Sequence, residues 1–184
     1  MLYVPSFDKS VYAVQTRGGS PGTALWNYTT GGPVIATPTF CAASSLLTFG
    51  SSDGLLYAVH TTPSQALNWT FNSAAPLFSS GTVHPHSFTR PLFSASQPRL
   101  QVTKSGAVAL GSGNKHFYLL DLNQGTVAFE YGHFLKKTTA IYKRDAFHMY
   151  ETGDSLVASG AVSADGKLLA VGSTDGYIYA FSDA

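Results

Sequence analysis

Gly172-Ser173-Thr174-Asp175-Gly176-Tyr177-Ile178-Tyr179 decides the fold, because the same eight-residue pattern occurs four times in the chain. The other copies are Gly50-Ser51-Ser52-Asp53-Gly54-Leu55-Leu56-Tyr57, Gly111-Ser112-Gly113-Asn114-Lys115-His116-Phe117-Tyr118 and Pro5-Ser6-Phe7-Asp8-Lys9-Ser10-Val11-Tyr12, aligned without a gap. Ser is second in every copy, Asp or Asn fourth and Tyr eighth. A short apolar run precedes each: Leu2-Tyr3-Val4, Leu47-Thr48-Phe49, Val108-Ala109-Leu110 and Leu169-Ala170-Val171. An apolar run, a polar turn and a second apolar run spell strand, tight turn, strand. Asp8, Asp53, Asn114 and Asp175 are each followed by Gly or Lys, and are expected to supply the left-handed backbone of a two-residue hairpin. A hairpin repeated this regularly is an internal repeat, and a repeat sets the architecture of the whole chain.

Working outward, the eighth-place tyrosines are 45, 61 and 61 residues apart. An aromatic, any residue and a second aromatic follow the first three hairpins: Trp26-Asn27-Tyr28, Trp69-Thr70-Phe71 and Phe129-Glu130-Tyr131. Two-residue alternation puts both rings of each triplet on one face of a third strand. Small residues mark a fourth strand at Ala36-Thr37-Pro38-Thr39-Phe40, Ser79-Ser80-Gly81-Thr82-Val83 and Ala158-Ser159-Gly160-Ala161-Val162, as suits a crowded place beside a shared axis. Units of four strands at periods of about 40 to 50 residues are the signature of a β-propeller blade. The expected fold is therefore all-β, with about four four-stranded blades of which the first and last are incomplete.

In chain order, the first blade is expected at 2–30 and the second at 33–72. The third follows at 76–132, with an insertion at 84–100 rich in Pro, Ser, Phe and His. The fourth follows at 156–184, after an insertion at 133–155 that holds Lys136-Lys137 and Tyr142-Lys143-Arg144-Asp145. So divided, the first blade lacks its inner strand and the fourth its outer one. Open ends of this kind suit a tight four-blade ring, a homodimer completing an eight-blade ring, or a segment of a longer protein. The third reading is preferred.

Composition narrows the function. Charged residues are 11% of the 184 and aromatics 13%, against about 25% charged in an ordinary soluble domain. The formal net charge of +1 gives no broad attraction to nucleic acid or an anionic membrane surface. A single cysteine, Cys41, excludes an internal disulfide and a Cys-rich zinc site, and reads as a small buried residue. No apolar run reaches the length of a membrane-spanning helix. Met1-Leu2-Tyr3-Val4-Pro5 enters a repeat strand at once, so no signal peptide is expected within this chain and the cytoplasm is the default compartment. Asn27-Tyr28-Thr29 and Asn68-Trp69-Thr70 are nevertheless glycosylation acceptors by pattern, which keeps a secretory or luminal compartment open.

The second repeat, with Tyr57-Ala58-Val59 followed by Trp69, resembles the pyrroloquinoline-quinone-like (PQQ-like) propeller repeat. So do Val11-Tyr12-Ala13-Val14 and the following Ala24-Leu25-Trp26-Asn27-Tyr28-Thr29-Thr30-Gly31-Gly32-Pro33-Val34. The resemblance implies that the outer-strand aromatics Trp26, Trp69 and Phe129 dock between neighbouring blades. It also implies an Ala-x-Asp-x-x-Thr-Gly turn before the outer strand. Leu120-Asp121-Leu122-Asn123-Gln124-Gly125-Thr126 comes nearest to that turn, whereas Gln15 and His60 stand where the family prefers Asp. A WD-type propeller is the neighbouring alternative, suggested by Ser163-Ala164-Asp165-Gly166-Lys167; the chain has no Trp-Asp pair.

The repeat name raises quinoprotein dehydrogenase chemistry, with PQQ and calcium as cofactors. That class implies a full ring around the quinone and often two adjacent cysteines, and this chain has neither. The turn acids Asp8, Asp53 and Asp175, like Asn114, are explained by the backbone bonds of tight turns. His84-Pro85-His86 lacks the further ligands of a metal site, and the basic cluster at 136–144 reads as a solvated loop. The expectation is thus a module with no catalytic, cofactor-binding or metal-binding residues, serving protein or ligand binding and scaffolding. Family resemblance implies three settings: an assembly scaffold, the C-terminal propeller of an acyl-adenylating enzyme, or a fragment of a PQQ-dependent dehydrogenase.

Overall fold

The computed structural model describes residues 1–62, 65–84, 106–125, 133–136, 139–141, 149–162 and 168–182. Among the described residues there are sixteen strands and no helix. Each octapeptide joins two of them. In the first sheet β1 (Leu2–Pro5) and β2 (Ser10–Val14) form the hairpin, and β3 (Ala24–Thr29) lies outside it. The second sheet runs β4 (Thr39–Cys41), β5 (Leu46–Gly50), β6 (Leu55–His60) and β7 (Leu67–Asn72) in that order. The third is built on β8 (Thr82–His84), β9 (Ala107–Gly111) and β10 (His116–Asp121).

Chain order then stops predicting pairing. β11 (His133–Lys136) and β12 (Thr139–Ile141) are followed by β13 (Met149–Glu151), β14 (Ala161–Val162), β15 (Leu168–Gly172) and β16 (Ile178–Ser182). β13 is the outer neighbour of β10, whereas β11 pairs with β16, giving a fourth sheet ordered β12-β11-β16-β15-β14. The segment 133–155, expected between blades as an insertion, thus lends strands to two sheets, and the fourth sheet has an outer strand after all. The reason is physical: an open sheet edge offers a row of backbone donors and acceptors that any extended segment can fill, near in sequence or not. Phe129, expected on the third outer strand, lies outside the described residues.

The hairpins share one register. Tyr pairs across its hairpin with the apolar residue just before the turn: Val4↔Tyr12, Phe49↔Tyr57, Leu110↔Tyr118 and Val171↔Tyr179. The turn itself is longer than the two-residue form expected. In the second sheet, Ser51 N–H donates to the Leu55 carbonyl at 3.0 Å and Gly54 N–H to Ser51 at 3.1 Å. A single left-handed residue then suffices, and it follows the Asp or Asn: Lys9, Gly54, Lys115 and Gly176 have φ between 74° and 88°.

The sheets stack face to face, and the core is the set of interfaces between them. Val11, Tyr3, Trp26 and Tyr28 of the first sheet meet Leu47, Phe49, Tyr57 and Val59 of the second. Leu46, Leu56, Ala58 and Trp69 meet Val108, Leu110, Tyr118 and Leu120 of the third, with Cys41 buried in the same cluster. Ala107, Ala109, Phe117 and Leu119 meet Val171 and Tyr179 of the fourth. Each internal sheet is therefore apolar on both faces, which is why β5, β9 and the hairpin partners β6 and β10 read as near-continuous apolar runs.

Candidate functional site

The repeated turn is the most elaborate polar structure in the described residues. In the second hairpin, Asp53 Oδ1 accepts Leu55 N–H at 2.9 Å, and Oδ2 accepts the Tyr57 hydroxyl at 2.7 Å. The same Oδ2 takes the Gly31 N–H at 2.8 Å. Gly31 belongs to the connection leaving the first sheet, so one carboxylate closes its own turn and fastens the preceding sheet. Asp175 repeats the arrangement with Tyr177 N–H at 3.0 Å, Tyr179 at 2.6 Å and Gly153 N–H at 2.8 Å. Asp8 holds Ser10 N–H at 2.9 Å and the Tyr12 hydroxyl at 2.6 Å, both within its own hairpin.

Asn114 does the same task with reversed polarity. Its Oδ1 accepts His116 N–H at 3.0 Å, while Nδ2 donates to the Ser73 carbonyl at 2.5 Å and the Tyr118 oxygen at 2.7 Å. Here the preceding sheet presents a carbonyl where Gly31 and Gly153 present an N–H. The titration behaviour follows. Burial, helped by the Asp53 carboxylate, pushes Tyr57 up to about 12. The bond from Tyr12 draws Asp8 down. Burial opposes the same movement at Asp175, but its bonds from Tyr179, Tyr177 and Gly153 together bring it down. Asp8 and Asp175 are therefore anions at neutral pH, already engaged by backbone and phenol donors.

A second set of hydroxyls stitches the sheets together. Thr30 Oγ1 lies 3.0 Å from the Lys9 carbonyl and 2.7 Å from that of Gly32. Ser73 repeats this with Gly54 and Ala75, and Thr152 with Lys115 and Asp154. The backbone bonds Val34 to Ser6, Leu77 to Ser51 and Leu156 to Ser112 recur at 3.0 to 3.2 Å beside them.

Trp69 lies buried between the second and third sheets, and its Nε1–H donates to the Leu122 carbonyl at 2.8 Å. Asp121 shapes the turn beneath it by accepting the N–H groups of Asn123 and Gln124, each at 2.9 Å. A Cβ on Gly125 would come within 2.4 Å of the indole, so the ring requires glycine there. Trp26 is half-buried, 5.8 Å from Tyr3, which in turn lies 5.6 Å from Phe40 of the second sheet. Asn27 and Asn68 are exposed on the edge strands β3 and β7, and the Asn68 amide donates to the Asn123 carbonyl at 3.0 Å.

Among the described residues no three His, Cys, Asp or Glu side chains gather as a metal site. His84 ends β8; Pro85, His86, Lys137 and the Tyr142–Asp145 run lie outside the described residues. No helix among the described residues is long and apolar enough to cross a membrane. The residues that sequence reasoning missed are Gly31, Gly153, the three stitching hydroxyls, and Asn72, whose Oδ1 accepts the Ala74 N–H at 2.7 Å beside Ser73. The hydroxyls' only signal was weak: each stands three places before a Pro or Ser, in the same place of each repeat.

No family model matches the chain, and no curated protein matches it. Solved structures do. BamB from Moraxella catarrhalis is similar over 98% of this chain and 41% of that one, with a TM-score of 0.58 at 17% identity. A chain of the Mitotic Checkpoint Complex is similar over 98% of this chain and 44% of that one, with a TM-score of 0.65 at 14% identity. The fold is that of a β-propeller, present in part. The four sheets are blades, and the chain spans less than half the length of either similar structure.

Proposed function

We propose that the chain is a non-catalytic propeller module that binds a protein or ligand and acts as a scaffold within a larger assembly. The observation that carries this reading is where the polar chemistry is directed. Among the described residues, the polar side chains at the repeated turns, Asp53, Asp175 and Asn114, hold turns and fasten blades. Function on such a frame belongs to the loops it displays. The PQQ-like type is supported by Trp69 seated between two blades over the Asp121 turn, which is the docking that resemblance to that family implies. An assembly scaffold and the propeller of an acyl-adenylating enzyme remain the settings this reading favours, and a second copy or further blades would supply the rest of the ring.

β8 and β9 are antiparallel neighbours with His84 opposite Ala107, so a short turn can replace residues 86–104 without lengthening any connection. Replacement is expected to leave the melting temperature nearly unchanged and to abolish capture of the module's partner. Deletion across 133–155 is not an equivalent test, because β11, β12 and β13 are built from it. Titration with PQQ and calcium is the opposing test: spectral change or thermal stabilisation would overturn the non-catalytic reading in favour of a dehydrogenase fragment.

A further inference from the structure

Ile35, Phe78 and Val157 stand at one repeat position, in the three connections that carry the chain from the outer strand of one blade to the inner strand of the next. The residue before each, Val34, Leu77 and Leu156, is at most 1% exposed and packs into the core between blades. Extended backbone turns the following side chain the other way. Ile35, Phe78 and Val157 are accordingly 42, 39 and 48% exposed. Each connection has a blade of this chain on both sides, so these side chains are bare at internal junctions, not at the chain's two ends.

Hydrogen bonds hold the three in one row. Two residues further on, Thr37 N–H donates to Ser80 Oγ at 2.9 Å and Ser80 N–H to Ser159 Oγ at 3.1 Å. The octapeptide turns reach the same connections: Ser52 N–H donates to the Pro33 carbonyl at 2.9 Å, Gly113 N–H to that of Pro76 at 3.3 Å and Thr174 N–H to that of Ser155 at 3.0 Å. Those acceptors lie two residues before the exposed apolar side chains, so polar turns border the apolar row. A single exposed apolar residue is commonplace, but three at one repeat position make a stripe.

Charge and length say what fits this stripe. The four octapeptide turns and three connections carry Asp8, Asp53, Asp154 and Asp175 against Lys9 and Lys115, four acidic residues and two basic ones. This surface is therefore acidic by two in a chain whose formal net charge is +1. Sheets packed face to face sit about 10 Å apart, so a row across three junctions spans at most about 20 Å, the length of about six extended residues. A small ligand cannot bridge it, and an acidic surface repels an anionic membrane.

We propose that this end of the blades is a docking surface for an extended peptide segment of a partner protein, in which apolar side chains are interleaved with Lys or Arg. The apolar side chains settle on Ile35, Phe78 and Val157, and the cations lie beside Asp154 and the acidic turns. This rests on the partner-binding reading above and names the partner's chemistry. The surface is separate from the β8–β9 connection, which joins β9 at the end away from its octapeptide turn.

Selection of random heptapeptides displayed on phage against the full chain tests this. Enriched peptides are expected to combine apolar residues with Lys or Arg. Fluorescence anisotropy should show them binding at least tenfold more weakly to Phe78→Ser. Asp154→Asn should weaken them about threefold at low salt and leave them unaffected at high salt, where exposed charges are screened. Both positions are exposed on connections, so circular dichroism and melting temperature should match wild type; Val157→Ser replaces Phe78→Ser if the latter does not fold. No enrichment, an enriched set without basic residues, or binding indifferent to Phe78→Ser would overturn the proposal. Peptides kept by Phe78→Ser but lost on replacing residues 86–104 would dismiss this surface while supporting the module reading.

Discussion

Two blade junctions in this molecule have the same backbone plan and opposite polarity. Between the first and second blades, Gly31 N–H points at Asp53; between the second and third, the Ser73 carbonyl points at Asn114. The cause lies one residue upstream. Asn72 Oδ1 accepts the Ala74 N–H at 2.7 Å, which turns that donor away from the next hairpin and holds Ala74 left-handed at φ 59°. The peptide joining Ser73 to Ala74 therefore presents its oxygen, and only a side chain with a donor can meet it. Thr29 occupies the Asn72 position in the first blade, where Gly31 keeps its N–H toward Asp53. An Asp and an Asn at one repeat position, interchangeable by turn propensity, are thus set apart by the neighbouring blade.

The most damaging exchange should be Asn114→Asp, which sets a carboxylate against the Ser73 carbonyl and removes the donor to both Ser73 and Tyr118. Leaving a buried acceptor unpartnered beside a new charge costs about 3 kcal/mol. Urea unfolding followed by tryptophan fluorescence reads it. The sharper version adds Asn72→Thr, freeing the Ala74 N–H to turn toward the new carboxylate. The double variant should be more stable than the two single losses predict, by about 1 kcal/mol of coupling. Additive losses would mean that Asn72 does not set the polarity of the junction.

Alkaline pH should probe the acidic version of the lock. Tyr57 is held protonated to about 12 against an ordinary value of 10.0. Its folded value lies above its unfolded one, so its contribution is complete below pH 10 and is lost as pH rises toward 12. The expected loss across that window is about 2 kcal/mol, measured as the fall in urea midpoint. Tyr57→Phe should remove most of that slope, and Asp53→Asn part of it, since burial acts on the phenol without the anion. A slope unchanged in Tyr57→Phe would assign the alkaline transition to other groups.

The register of the hairpins was not legible, since the two-residue turn expected would set Tyr57 opposite Gly50 and the longer turn sets it opposite Phe49. The repeat was legible, because it rests on side-chain type at fixed spacing. Asp8, Asp53, Asn114 and Asp175 could likewise be placed in turns from sequence. What sequence concealed was what each turn touches. The Asp53 carboxylate depends on the orientation of a peptide 22 residues earlier, and nothing in the octapeptide records it. Strand exchange was hidden for a related reason. β11 and β13 satisfy sheet edges through backbone atoms, which carry no residue signature, so chain order was the only guide and it pointed to an insertion.

Gly153→Ala should cost less than either disturbance above. The glycine is not left-handed, so alanine strains no dihedral, but its Cβ would lie 2.6 Å from Asp175 Oδ2. The carboxylate must withdraw and lose its bond to the preceding blade, at about 1 kcal/mol. Gly31→Ala meets Asp53 Oδ2 at 2.9 Å and should follow it. Differential scanning calorimetry would show both as lowered melting temperatures, and equal melting with wild type would mean that the acidic junctions tolerate a side chain there.

The opposite exchange at the amide junction should go the other way. Ala74 occupies the position of Gly31 and Gly153 but sits at φ 59°, where an L side chain costs about 1 to 2 kcal/mol. Glycine removes that strain and adds about 0.5 to 1 kcal/mol of unfolded-chain entropy, so Ala74→Gly should stabilise by about 0.5 kcal/mol. Small as it is, the sign is decisive. Glycine to alanine destabilising two junctions while alanine to glycine stabilises the third would establish that the same repeat position is held in two backbone conformations. A loss at Ala74→Gly would instead mean that alanine's methyl contributes more to the second junction than its strain removes, and that side-chain polarity alone, without a turned peptide, separates Asn114 from Asp53.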